Sequence, residues 1–344
     1  KQIHDEVIKQ GLLEKSLVLG NSLVDMYVKF GLLTKAQQVL EELPVRDVIT
    51  WSTLIAGYPR QEQGDKAFGC FQRMQREGLS PNVVTLICIL NACSITRSID
   101  KGKQIHDNII NRGLLEKHMG LGNALVDMYA KCGALEKAWQ VLEELPARDV
   151  VSWNALITGY AQLEQAQEAL ECFKQMQWEG LCPNEITFVS VLKACGHAEA
   201  TDTGKQIHEE IIDRGILEKN LVLGTALVDM YSRCGMLAKA HQILEYLHDR
   251  DTICWNVLIA GYVQHNYCEV ALELYMKMVQ GGIKPDLLTL SCLVKACGIM
   301  GILQEGRLLH GHIVRRGYGD ELITGNALLD MYSKCGSLED AEIL

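Results

Sequence analysis

The sequence lacks any excess of basic residues. Its 33 Lys and Arg stand against 43 Asp and Glu, giving a formal net charge of −10. Proteins that hold duplex nucleic acid by its phosphates carry a basic footprint. The charge balance therefore argues against that class, but it leaves open the recognition of bases one at a time.

Long apolar runs are also missing. No stretch approaches the roughly 20 apolar residues of a membrane span, so we expect no membrane partner. No signal or transit peptide is visible. The chain nevertheless starts inside a repeated segment, and we expect the true N-terminus to lie upstream.

The thirteen cysteines include no C-x-x-C pair. That absence, the chain length and the lack of a secretory start argue against a zinc site and against a disulfide scaffold. Six of the cysteines recur once per long period, as small buried residues would: Cys93, Cys195 and Cys297 in one phrase, Cys132, Cys234 and Cys335 in another. We interpret them as reduced, packed thiols.

A repeat organises the chain. KQIHD begins at Lys1 and Lys103, and KQIHE begins at Lys205, with a spacing of 102 residues each time. This period is too long for one solenoid unit, so we divide it after each R-D and each P-[ND], which gives units of 35, 36 and 31 residues. The predicted units are 17–47, 48–82, 83–118, 119–149, 150–184, 185–220, 221–251, 252–286 and 287–321, with partial units at both ends.

Each unit has the pattern of two helices. In unit 150–184, Trp153, Leu156, Ile157 and Tyr160 recur at i, i+3, i+4 and i+7. A lone helical hairpin cannot bury such a face, so neighbouring hairpins must stack. The sequence therefore predicts one all-α solenoid of about ten hairpins, without strands or interdomain linkers.

Two helical-repeat families come into consideration. Tetratricopeptide units keep a steady length of about 34 residues, whereas the lengths here cycle. The cycling lengths, W-N-x-L-I-x-G-Y, G-K-Q-I-H and N-A-L-V-D-M-Y-A-K-C-G together resemble pentatricopeptide repeat (PPR) proteins, and more narrowly the plant class with alternating P, L and S units. The resemblance covers the whole chain.

The resemblance implies a right-handed superhelical solenoid in a chloroplast or mitochondrial protein, without a cofactor. It also implies binding of single-stranded RNA, one base per unit. The family selects bases with the fifth and last residues of a unit. Carried onto this sequence, these are the pairs Asn21/Asp47, Ser52/Asn82, Asn123/Asp149, Asn154/Asn184, Thr225/Asp251 and Asn256/Asp286, followed by Asn326, whose partner would lie past the end.

The chemistry of these pairs follows from donor and acceptor inventories. Guanine and uracil present an imino N–H that a carboxylate accepts, whereas adenine and cytosine present a bare ring nitrogen that needs the N–H of Asn. A short hydroxyl leaves room for a purine, and Asn fills the space beside a pyrimidine. The predicted RNA is 5′-U-A-n-U-C-n-G-U-n-3′, with U also fitting at the C.

The three n positions belong to the 36-residue class, whose pairs Ile87/His118, Val189/Asn220 and Ser291/Glu321 depart from the readable combinations. The resemblance further implies that the second residue of a unit wedges against bases: Val18, Ile49, Val151, Val222 and Ile253. Gly120 breaks that pattern. Four cations that follow D-M-Y are either phosphate contacts or parts of a solvated face: Lys29, Lys131, Arg233 and Lys334.

Structural interpretations compete at three sets of residues. Asn and Ser at helix starts are favoured as N-terminal residues whether or not RNA binds. The apolar stripe places Trp51, Trp153 and Trp255 in the core rather than on bases. His4-Asp-Glu6 and His208-Glu-Glu210 match the H-x-E of zinc deaminases, but the P-C-x-x-C of that signature is absent, so we interpret both histidines as structural.

No Gly-rich phosphate loop and no Ser/His/Asp or Cys/His set stands outside the repeat register, so we expect this chain to recognise rather than catalyse. The favoured hypothesis is the site-recognition tract of an organellar cytidine-to-uridine RNA editing factor, with other editing proteins as further partners and any deaminase domain elsewhere. Two alternatives stay open: a protein-interaction scaffold in a larger organellar assembly, and transcript stabilisation or processing without editing.

Overall fold

The computed structural model describes residues 16–218, 220–319 and 321–342. The first KQIH segment, with His4 and Glu6, lies outside them. The described residues form pairs of antiparallel α-helices and contain no strand. The helices are Leu17–Lys29, Leu33–Glu42, Val48–Gly57, Gly64–Arg76, Val83–Thr96, Ile99–Asn111, Met119–Lys131, Leu135–Glu144, Val150–Gln162, Ala166–Trp178, Glu185–His197, Thr201–Asp213, Leu221–Arg233, Leu237–Tyr246, Thr252–Gln264, Cys268–Gln280, Leu287–Met300, Leu303–Arg315, Leu322–Lys334 and Leu338–Glu342.

The hairpins belong to two compact units. The first holds the described residues up to Leu163 together with Glu171–Cys182, and the second holds Glu164–Leu170 and the described residues from Pro183 onward. Within each compact unit, the first helix of a hairpin packs against the first helix of the next hairpin, as Val83–Thr96 does against Met119–Lys131. Each unit is thus a stack of helical hairpins, which confirms the predicted all-α solenoid class.

The closing residue of one predicted unit starts the first helix of the next. Asp47, Asn82, Asp149, Asp251 and Asp286 are N-caps whose side chains accept a hydrogen bond from the backbone N–H three residues on. Such a cap satisfies one of the N–H groups that a helix leaves unpaired at its start. The helices after these caps therefore begin at the residues where the sequence division starts a unit.

Within each compact unit, the core lies between the two helices of a hairpin and between neighbouring hairpins. Trp51 and Trp153 are fully buried there, and Trp255 is 6% exposed, which confirms their predicted core position. Close packing also favours Gly122 in the helix Met119–Lys131, because a Cβ at this position would overlap the side chain of Leu145, the residue that follows the paired helix Leu135–Glu144.

Three of the six recurrent cysteines are buried as predicted, whereas Cys132, Cys234 and Cys335 are half-buried. Cys93, Cys195 and Cys297 are buried free thiols, and burial raises the pKa of each to about 12. They are therefore protonated and unreactive at neutral pH. Within the described ranges, no helix combines the length and the apolar character that crossing a bilayer demands.

Candidate functional site

The fifth residue of a unit meets the residue that closes the same unit. In three units the Asn amide donates to both carboxylate oxygens of the closing Asp. The Nδ2-to-oxygen distances are 3.4 and 3.4 Å for Asn21 and Asp47, 3.2 and 3.1 Å for Asn123 and Asp149, and 3.0 and 3.0 Å for Asn256 and Asp286. The fold thus brings together residues that are 26 to 30 positions apart.

In units whose fifth residue carries a hydroxyl, a third side chain lies between the fifth and the closing residue. Ser52 Oγ lies 2.6 Å from Thr85 Oγ1, which in turn donates to Asn82 Oδ1 at 2.9 Å.

A related arrangement occurs in unit 221–251, where Cys254 contacts the fifth residue with its side chain and the closing residue with its backbone N–H. Thr225 Oγ1 lies 2.7 Å from Cys254 Sγ, and the backbone N–H of Cys254 donates to Asp251 at 2.9 Å. The bridging position is three residues past the closing residue in both units.

The sequence reasoning missed this bridging position. Thr50 Oγ1 lies 2.5 Å from Asn21 Oδ1 and 2.8 Å from Asp47 Oδ1, and Thr289 repeats the arrangement between Asn256 and Asp286 at 2.5 and 2.9 Å. The signal in the sequence was the recurrence of Thr, Ser or Cys three residues after each closing Asp or Asn.

One unit lacks the bridge. Ser152 occupies the bridging position of unit 119–149, but its hydroxyl donates to the backbone oxygen of Asp149 at 2.9 Å. Asn123 Oδ1 is consequently buried without a hydrogen-bond partner. A buried acceptor without a partner is destabilising because it has lost its hydration.

Two of the closing carboxylates, Asp47 and Asp286, are held in their charged form. Burial opposes ionisation of Asp47, but hydrogen bonds from Thr50 and Asn21 outweigh it and lower the pKa of Asp47 below its ordinary value. The pKa of Asp286 is lowered in the same way, against burial, by Thr289 and Asn256. Both side chains are therefore hydrogen-bond acceptors at neutral pH.

In every predicted unit except 119–149, the second residue is apolar and faces solvent. Exposed fractions for the five predicted wedges are 75% for Val18, 58% for Ile49, 58% for Val151, 64% for Val222 and 60% for Ile253. The 36-residue class carries the same feature at Val84, Ile186 and Leu288, which are 54–60% exposed and which the sequence reasoning overlooked. The available signal was an apolar residue at the second position of the 36-residue units, as in most of the other units.

Two cavities combine these elements. One of about 310 Å³ is lined by the wedge positions Ile49 and Val84 and by the pair Ser52 and Asn82. Another of about 380 Å³ is lined by Val222 and Ile253 with Thr225 and Asp251. Each is a slot with two apolar walls and one polar pair, which is the form needed to hold a planar, polar-edged group.

Gly120 leaves a gap in the row of wedges. A Cβ built there would meet only Ile87 Cδ1, at 3.6 Å, so the backbone has room for a side chain. The absence of a wedge is therefore a property of this residue and not of its surroundings.

The remaining predicted selectors are placed individually. Asn154 is 6% exposed and belongs to the first compact unit, whereas Asn184 caps the helix Glu185–His197 and belongs to the second. Because the two residues lie in different compact units, their pairing stays a prediction. Asn326 is exposed. In the 36-residue class, His118 and Glu321 form no side-chain cap, and the Asn220 amide donates to Glu185 at 2.5 Å.

The four recurrent cations are paired with acids one helical turn earlier. The pairs are Lys29 with Asp25 at 2.7 Å, Lys131 with Asp127 at 2.8 Å, Arg233 with Asp229 at 3.0 Å and Lys334 with Asp330 at 2.7 Å. Such exposed pairs contribute little stability. They do reduce the positive charge that these residues could offer to a phosphate.

The KQIH histidines are structural where they are described. His106 Nδ1 and His208 Nδ1 each lie 3.0 Å from a tyrosine hydroxyl of the next hairpin, Tyr129 and Tyr231. Burial lowers the pKa of both histidines. Across residues 16–218, 220–319 and 321–342, no group of His, Cys, Asp and Glu has the arrangement of a metal site.

Comparison with known proteins gives two matching family models. The model described as PPR repeat family matches residues 46–94, 148–197 and 250–298, and the model described as PPR repeat matches 21–48, 123–150 and 225–251. The matched segments together cover more than half of the chain.

Curated relatives and a solved structure agree with these models. A mitochondrial pentatricopeptide repeat-containing protein of Arabidopsis thaliana is 36% identical over 98% of this chain and 33% of its own length. A chloroplastic one from the same plant is 34% identical over 87% of this chain and 48% of its own length. The chain spans about a third to a half of the relatives that it matches.

The solved structure is the pentatricopeptide repeat protein PPR10 in complex with an 18-nt psaJ RNA element. It matches with a TM-score of 0.78 at 21% identity, over 95% of this chain and 49% of that chain. At this level of identity, the similarity shows the fold.

Proposed function

This chain belongs to the PPR repeat family, and we propose that its stacked hairpins bind single-stranded RNA, one base to a hairpin. The observation that carries the proposal is the repeated slot: an apolar residue on each side and a polar pair at the base. A nucleobase has two apolar faces and a polar edge, so it matches such a slot in shape and in chemistry. The RNA-bound state of the structurally similar PPR10 supports the same assignment.

Hydrogen-bonding groups in the slots would select the base. In unit 221–251, Thr225 leaves the cavity open beside Asp251, whose carboxylate would accept the imino N–H of guanine. In unit 252–286, the Asn256 side chain fills that space and donates to Asp286, which suits the smaller uracil. Adjacent units would therefore read G and then U in the proposed sequence 5′-U-A-n-U-(C/U)-n-G-U-n-3′.

We further assign the chain to the plant class with alternating P, L and S units, and we propose that it is the site-recognition tract of an organellar cytidine-to-uridine editing factor. The cycling unit lengths support the class. The mitochondrial and chloroplastic names of its relatives support an organellar site of action. The deamination itself would belong to another segment or to a partner protein.

A protein-interaction scaffold is the second candidate function. The neutralised cations favour it, because Lys29, Lys131 and Arg233 are already paired with acids and the whole chain carries a net charge of −10. A protein of this charge gains less from counterion release when it binds RNA. Any RNA binding by this chain would then depend on the slots rather than on phosphate contacts.

Fluorescence anisotropy with labelled RNA tests the proposal. We expect the nine-nucleotide RNA with the proposed bases to bind at least tenfold more tightly than a scrambled RNA of the same composition, at both 50 and 150 mM salt. The variant Ile253→Asp should weaken binding because it places a carboxylate on the wall of a slot. Binding to neither RNA at low salt would reject RNA recognition and favour the scaffold.

A further inference from the structure

The 35-residue units share a buried tryptophan, and in two of the three units a carboxylate accepts a hydrogen bond from its indole N–H. Trp51 Nε1 donates to Glu77 Oε2 at 2.9 Å, and the other oxygen of Glu77 accepts from Arg46 at 2.8 Å. One carboxylate thus bridges an indole N–H and a guanidinium, a planar two-donor arrangement that suits this anion.

The second copy repeats this bridge. Trp153 Nε1 donates to Glu179 Oε2 at 2.9 Å, and Arg148 Nε lies 3.1 Å from Glu179 Oε1. The bridge is therefore a built feature of this class of unit rather than an accident of one surface side chain.

The third copy has the two donors but not the carboxylate. Gly281 occupies the position of Glu77 and Glu179 in the repeat. Trp255 is only 6% exposed, and its Nε1 is buried without a hydrogen-bond partner. A buried N–H in this position is destabilising until an acceptor reaches it.

The third copy keeps the arginine. Arg250 donates from Nε to Leu247 O at 3.0 Å and from NH2 to Glu245 O at 2.8 Å. Arg46 shares only the NH2 contact, with Glu41 O; its Nε donates to Leu40 O and its NH1 to the carboxylate. Among the described residues, no carboxylate pairs with Arg250.

A cavity of about 590 Å³ occupies the space where the missing side chain would lie. Its walls include Trp255, Arg250 and Gly281, together with Lys277 and His248. It shares no lining residue with the two slots described above.

Acidic groups are also present at this cavity. Asp249 lines it, and Glu245 lines it as well, but Glu245 is 64% exposed and lies 3.3 Å from the imidazole of His241. Neither is placed to accept from the buried indole. Neither acidic side chain therefore lies between the Trp255 N–H and the Arg250 guanidinium.

We propose that this cavity is a carboxylate-binding site, in which an external carboxylate takes the place that Glu77 and Glu179 hold in the other two copies. One oxygen accepts from Trp255 Nε1 and the other from Arg250. The volume exceeds that of a bare carboxylate, and Leu244 and Ile283 provide apolar wall. These features suit a carboxylate carried on a short aliphatic chain, as in a free organic acid or the acidic side chain of a peptide.

The test follows the indole N–H signals of the whole chain by ¹⁵N-edited NMR, with Trp255→Phe used to assign the Trp255 signal. Sodium acetate and capped glutamate dipeptide are titrated at constant ionic strength, with sodium chloride, sodium phosphate and capped glutamine dipeptide as controls. We expect a saturable downfield shift of the Trp255 signal with acetate and with the glutamate peptide only. The signals of Trp51 and Trp153 should not move, because their N–H groups are already bonded.

Two variants make the result decisive. Gly281→Glu restores the internal carboxylate, and it fits because a Cβ there meets only backbone oxygens at 3.4 Å and beyond. We expect it to shift the Trp255 signal without any ligand and to abolish the response to acetate, whereas Arg250→Gln should weaken acetate binding about tenfold.

The half-saturation concentrations of acetate and of the glutamate dipeptide are then compared. The ligand with the lower value indicates whether the site suits a free organic acid or the side chain of a peptide. A Trp255 signal that does not respond to either carboxylate, or that responds equally to phosphate, chloride or the glutamine peptide, would overturn the proposal.

Discussion

Replacing Ser152 by Thr should stabilise the first compact unit. In units 17–47 and 252–286, a Thr at this position contacts the Asn amide oxygen at 2.5 Å, whereas Ser152 turns its hydroxyl to the backbone and leaves Asn123 Oδ1 buried and unpaired. A Thr hydroxyl that reaches Asn123 would satisfy this acceptor. Removing one buried unsatisfied group is worth about 1–3 kcal/mol, so we expect Ser152→Thr to raise the free energy of unfolding by about that amount.

Equilibrium urea unfolding followed by circular dichroism measures this change. The control is Ser152→Val, which adds the same bulk as Thr without a hydroxyl and should destabilise the chain by removing the capping interaction with Asp149. If both variants changed stability equally, packing volume rather than the hydrogen bond would be responsible, and the reasoning on the bridging position would be refuted.

Two further predictions concern the missing wedge and pH. Gly120→Val should tighten RNA binding roughly two- to fivefold, because it adds about 0.5–1 kcal/mol of apolar contact, and it should not lower stability. The control is Gly122→Val, which should unfold the region because its Cβ overlaps Leu145. Unchanged RNA affinity in Gly120→Val would contradict the wedge assignment. The pKa of His208 in the folded protein lies below its unfolded value of about 6.5. The unfolded state therefore binds more protons at acid pH. The contribution of His208 to the free energy of unfolding should be fully present above about pH 6.5 and should decrease as the pH falls toward the folded pKa. Unfolding free energies at pH 7.5 and 5.5 measure this loss, which should be smaller in His208→Gln; an equal loss in both proteins would contradict it.

The helical elements were predictable because their signals are local. A closing Asp or Asn followed by apolar residues at helical spacing marks where a helix begins, and Asp149 followed by Trp153, Leu156 and Ile157 is an example. The core position of Trp153 follows from the same periodicity. The pairing of Asn123 with Asp149 entered the prediction through the family resemblance, since the two residues are 26 positions apart.

The bridging contacts were not predictable in the same way. Thr50 and Asn21 are 29 residues apart and meet only because the first helices of neighbouring hairpins pack closely. Whether Ser152 makes the same contact depends on its side-chain rotamer, which no repeat pattern specifies.

Other features were visible in the sequence but went unused. The ion pair between Lys29 and Asp25 has the i, i+4 spacing that predicts it on a helix. The change from Glu77 and Glu179 to Gly281 appears as soon as the three 35-residue units are aligned. Its consequence for Trp255 emerged only from the packing of the indole.

A reciprocal exchange in adjacent hairpins tests whether the fifth and closing side chains of one hairpin select one base. Thr225→Asn should change the preference of unit 221–251 from G to U, and Asn256→Thr should change that of unit 252–286 from U to G, each by about 1–3 kcal/mol or roughly 5- to 150-fold in relative affinity. The measurement is the dissociation constant of each protein for RNAs that carry all four bases at these two positions. We expect only the base facing the altered hairpin to change. Variants that keep the original preference at both positions would refute base selection by these side chains.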